Sequence, residues 1–181
     1  MHHYDFQEKF RAVYDRARAS YLAGGKTTAT LLSADDVAWL ESIGSRAQDL
    51  FDYAEDAANY GEPDYDTALL VQAARRDYFL TIQHGTPSKV VLDVDKMPAK
   101  TDAVHGIEWL PRIIPKTKAK LRGELPTSLM YGCGGDRRFF RTHDIHPAEF
   151  LRVVWAYEKD DAKIIEWVEK RSKAAKSAVA A

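Results

Sequence analysis

At 181 residues, 45% hydrophobic and 29% charged, the chain has the size and composition of one globular domain with a sizeable core, which excludes disordered and fibrous classes. No apolar run approaches the roughly 20 residues of a bilayer span, and the amino terminus MHHYDFQEKF lacks the basic-then-apolar order of a signal peptide, so neither secretion nor membrane insertion is expected, and a cytoplasmic protein is. The formal net charge of -1 conceals an asymmetry: residues 1–104 carry 17 acids and 11 bases, residues 105–181 carry 10 and 15. Opposite signs favour docking one half on the other, and the basic half lacks the stripe with interleaved aromatics of a nucleic-acid face. The single cysteine, Cys133, rules out an internal disulfide and a zinc site built from several thiolates.

In chain order, Phe6, Phe10, Val13, Tyr14, Ala17 and Tyr21 recur at helical spacing, predicting a first helix over about 5–23 that Gly24 and Gly25 stop. A second is predicted from Ser33, placed with Asp36 as in a capping box, through Val37, Leu40, Leu50 and Ala54 to Ala58. A third runs over about 66–84, with Gly85 as its cap and His84 favoured by the dipole of the last turn. The β-branched segment KVVLDV, 89–94, is the one strand or extended candidate. The polar stretch 97–106 marks the best internal boundary. It separates an acidic three-helix half, 1–104, from a basic helical half, 105–176, that together form one cooperative domain, followed by a frayed tail, 177–181.

Past that boundary GIEWLPRIIPKTKAKLRGEL reads as a helix entered through Pro111 and closed by Gly123, with Pro115 raising the alternative of a start near Ile114. Further helices are expected from Asp136, over 147–156 and from 161 to about 174. The fold class is therefore mainly α, a bundle-like layer. No internal repeat is visible in the sequence.

Leu110-Pro111-Arg112 opening a basic helix, Leu121 and Gly123 closing it, Cys133 with Asp136 three residues on, Phe139-Phe140, Ile145, Phe150-Leu151, and Ile165 with Trp167 follow in an order that resembles the bacterial domain-of-unknown-function family 5069, over residues 107 to about 170. The resemblance implies no activity. Gly134 and Gly135, where family-like sequences carry proline and a larger residue, and Pro115, where they carry an acid, depart from the pattern.

The loop GCGGDRR concentrates the chemistry. Gly132, Gly134 and Gly135 would let backbone amides converge, Asp136 stands in the first turn of a helix, and Arg137 and Arg138 could hold a carboxylate or phosphate bidentately. The glycine spacing fits neither the dinucleotide fingerprint nor the P-loop. The competing reading makes the same residues a turn: Asp136 a cap, Gly134 and Gly135 at positive φ, Cys133 a small apolar filler. An enzyme reading would take Cys133 as nucleophile and His143 or His146 as base, although Pro147 places His146 just before a helix. The acids Asp52, Glu55 and Asp56 read as a solvated face, and Arg75 and Arg76 as fold-pairing groups inside a helix. A helical protein binding a protein partner, a second copy of itself or a small anionic ligand through residues 132–138 is thus expected, with an enzyme acting on an anionic small molecule as the alternative. No metal site is expected, and the sequence names no cofactor.

Overall fold

The computed structural model describes residues 3–179, which form nine α-helices and one two-stranded ladder arranged as two units, 1–87 and 88–181. None of the described helices is long and apolar enough to cross a membrane. Met1, His2, Ala180 and Ala181, which include the end of the expected frayed tail, lie outside the described residues.

The first unit contains α1 (Phe6–Leu22), α2 (Thr28–Leu31), α3 (Ala34–Ser42), α4 (Ala47–Tyr60) and α5 (Tyr65–Thr81). All six residues of the expected α1 stripe are buried. Each large apolar side chain moved fully out of water contributes about 1.5–3 kcal/mol, so the stripe accounts for most of the docking of this helix. The single helix expected over 33–58 is instead two, broken at Gly44, whose φ is +73° and whose absent Cβ would stand 2.5 Å from the Phe79 ring. Apolar periodicity runs through such a break unaltered, because the turn costs only the four residues between the helices. Ser33 caps α3 by accepting from the amide of Asp36, but the Asp36 carboxylate turns away from the cap to Arg16 of α1, 3.0 Å from its Nε. That guanidinium holds the Asp36 carboxyl below its usual range.

The second unit begins with an extended segment that forms no ladder over 89–93, then a 3-10 turn, Val94–Lys96. A hairpin of β1 (Ala103–Val104) and β2 (Ile107–Glu108) follows in the stretch expected to be irregular, then α6 (Leu110–Arg122), α7 (Gly134–Thr142), α8 (Pro147–Ala156) and α9 (Asp161–Val179). The alternative start of α6 near Ile114 is set aside: the helix begins at Leu110. Pro115 deprives only the first-turn carbonyl of Pro111 of an amide, in a turn where Pro111 itself is at home. Leu110, Ile113 and Leu121 of α6, Phe139 and Phe140 of α7, Phe150, Leu151 and Val154 of α8, and Ile164 and Val168 of α9 make the core. The rings of Phe139, Phe140 and Phe150 meet edge to face at 5.7–6.1 Å.

Candidate functional site

The loop Gly132–Arg138 is built around a carboxylate. Asp136, in the first turn of α7, has no exposure, and its Oδ2 accepts from the Gly132 amide at 2.8 Å and from Lys116 Nζ at 2.6 Å, while its Oδ1 accepts from Trp109 Nε1 at 3.0 Å. Lys116 is itself 1% exposed. Two charges so far from water are tolerated because each meets the other and the remaining lone pairs are satisfied. Removing one partner of such a pair costs about 3–5 kcal/mol. The negative charge also adds to burial in pushing the Tyr131 hydroxyl above its ordinary pKa, against a hydrogen bond with Thr117.

The glycines act differently from the turn reading. Positive φ belongs to Gly132, at +88°, whereas Gly134 and Gly135 are the first residues of α7 and need no left-handed backbone. Gly135 is required by proximity: a Cβ there would lie 2.4 Å from Cζ2 and 2.5 Å from Cη2 of Trp109. That indole cannot swing aside freely, since its Nε1 is bonded to Asp136 and its backbone, at φ +70°, opens α6 by accepting from the amides of Arg112 and Ile113. A bulky residue in the left-handed region costs about 1–3 kcal/mol and persists where its surroundings fix it. Neither Trp109 nor Lys116 was singled out by the sequence reading. The resemblance crossed both, yet a lysine in a basic helix looks solvated until the fold removes it from water.

A cleft of about 370 Å³ opens beside this arrangement, between the hairpin, α7 and the last turns of α9. Its wall includes the Trp109 ring over Gly135, and three cations reach it, Lys100, Arg138 and Lys176, against the carboxylate of Glu108. Among the described residues neither Arg138 nor Lys100 has an ion-pair partner for its side chain. His143 completes the lining. It is 8% exposed, its Nδ1 lies 2.9 Å from Ser172 Oγ, and burial, with a smaller contribution from Lys176, lowers its pKa.

Of the residues expected to hold a ligand, the structure brings Gly135 and Arg138 to the cleft, together with His143 from the catalytic set. Arg137 instead donates to the Gly132 carbonyl at 2.8 Å, tying the loop to its own helix. Cys133 precedes α7 without capping it, and the group beside its half-buried sulfur is the Lys116 ammonium, which donates to Sγ at 3.2 Å. His146 caps α8, accepting from the Ala148 amide at 3.1 Å, while Glu149 reaches back toward the His146 amide. No group of three His, Cys, Asp or Glu side chains suited to a metal occurs among the described residues.

Residues 96–180 match the family described as Domain of unknown function (DUF5069), a longer stretch than the 107–170 over which the resemblance was read. No curated protein and no solved structure matches the chain.

Proposed function

We propose that the second unit binds a small anionic molecule in the cleft lined by Arg138, Lys100 and Lys176. The observation that carries this reading is the imbalance of the lining, three cations to one carboxylate, with no ion-pair partner for Arg138 among the described residues. All three cations are solvent-exposed and so open to a ligand, and the arrangement suits a carboxylate or phosphate, which a guanidinium grips through two parallel hydrogen bonds. Gly135 brings the positive end of α7 to the same wall. The expected site is thereby recentred: Arg138 and Gly135 contact the ligand, while Asp136, Lys116, Arg137 and Gly132 hold the wall in shape.

A catalytic version of this reading rests on His143 rather than Cys133, because His143 lines the cleft and is kept neutral there, free to exchange a proton with a bound anion.

Thermal melts at fixed ionic strength with chloride, acetate, malonate and inorganic phosphate test the binding reading. A ligand of the native state raises Tm in proportion to the logarithm of its concentration above Kd. A saturable rise with malonate or phosphate is expected, weakened at least about 10-fold in apparent affinity by Arg138→Ala. Equal melts in all four salts would refute it.

A further inference from the structure

We infer that residues 6–81 are a second copy of the domain matched in residues 96–180, one in which the cleft is filled by the copy's own side chains. Within each unit the same features recur, and for most of the chain the residue numbers differ by 100. Buried positions 10, 13, 14, 17 and 21 of α1 correspond to 110, 113, 114, 117 and 121 of α6. Helices α3 and α7 span 34–42 and 134–142, with Ser33 and Cys133 at their N-cap positions, of which Ser33 alone accepts a capping bond. A base on α1 or α6 meets a buried aspartate in the first turn of α3 or α7, Arg16 with Asp36 and Lys116 with Asp136.

The connectors agree in the same way. Left-handed residues stand at Gly44 and Asp144, and the amides of Ser45 and Ile145 each donate at 2.9 Å to the carbonyls of Leu40 and Phe140. Arg46 and His146 stand at the N-cap positions of the following helices, with Asp49 and Glu149 accepting from their amides. Because α8 is four residues shorter than α4, the difference then becomes 96: Asp64 and Asp160 cap α5 and α9, and buried Ala68 and Gln72 correspond to Ile164 and Val168. Two unrelated helical bundles have no reason to share one spacing through a helix, a loop, a second helix, a turn and its cap.

The correspondence separates framework from site. The ion pair, the left-handed turn and the carboxylate that accepts from the N-cap amide occur in both copies and belong to the fold. Trp109, Gly135, Arg138 and His143 have Lys9, Asp35, Ala38 and Ile43 as counterparts, so the residues that shape the cleft wall, and its guanidinium, belong to one copy alone. In the first copy Trp39, which corresponds to Phe139, stacks on Phe6 at 6.4 Å, and Lys9 Nζ lies 5.3 Å from the Trp39 ring. The site-specific part of the inference rests on the anion-cleft reading and assigns one ligand to each chain.

Two arms test it on the full chain. Cys133→Ser and Asp144→Gly give the second copy the first copy's residue at equivalent positions, restoring a cap and relieving a left-handed side chain. Each is expected to raise Tm by about 2–4 °C. If both lower it, the equivalence is overturned. Calorimetric titration with inorganic phosphate should give one site per chain, lost in Arg138→Ala, whereas two sites, or saturable binding surviving in that variant, would overturn the filled copy. No binding alongside stabilising exchanges would overturn the anion reading and the one-ligand assignment while upholding the shared framework.

Discussion

The closest approach between two parts of the candidate site is the least visible in the sequence. Gly135 reads as a flexible loop residue, but it is helical, and what it supplies is the space that the Trp109 ring occupies. Gly135→Ala retains helical backbone geometry and improves local propensity, so a purely local account predicts stabilisation. Contact at 2.4 Å with a ring pinned by Asp136 decides the sign the other way. We predict a loss of about 1–3 kcal/mol in urea unfolding, the usual result of overpacking, together with a changed near-ultraviolet signal from the displaced indole. His143 sets a second expectation. Its folded pKa lies below the ordinary value near 6.5, so the folded state disfavours its protonation. The stability it contributes is full above about pH 6.5 and falls as pH drops through that value toward the folded pKa. Stability of the wild type measured from pH 8 to 5 should therefore decline more steeply than that of His143→Gln; parallel curves would contradict this.

At the scale of elements, periodicity and punctuation made most helices legible. α8 was expected over 147–156 and occupies those residues, because Pro147 fixes the start and the apolar pattern ends where the polar turn begins. The errors have physical causes. The break at Gly44 was missed because Leu40, Leu50 and Ala54 keep an apolar pattern across a turn whose necessity lies in Phe79, 35 residues away. Pro115 was overweighted because its penalty depends on how much helix precedes it, and here little does. The hairpin at 103–108 is two residues a side, too short to leave an alternating signature. For the site, the loop was legible from its glycines and arginines, but its organising charge pair was not: the partner of Asp136 lies 20 residues back on another helix, and a buried lysine has the same letter as a solvated one.

At the scale of the molecule, the charge asymmetry between halves acquires a different meaning if the units are copies. The acids of the first and the bases of the second then report divergence from one framework, and of those bases Arg138 and Lys176 line the cleft. The repeat escaped sequence inspection because its shared features are spacings and roles. Arg16 and Lys116 are both bases, Gly44 and Asp144 both tolerate a left-handed backbone, and Phe10 and Leu110 are both core, yet at each of these three places the residue differs. The central claim, an anion held by Arg138 beside Trp109 and His143, is tested most directly by titrating the full chain with inorganic phosphate at constant ionic strength while following backbone amides by nuclear magnetic resonance. Saturable shifts clustered at Gly106, Gly135, Thr142 and His143, and abolished by Arg138→Ala, are predicted. Shifts that fail to saturate, lie elsewhere or persist in that variant would contradict it.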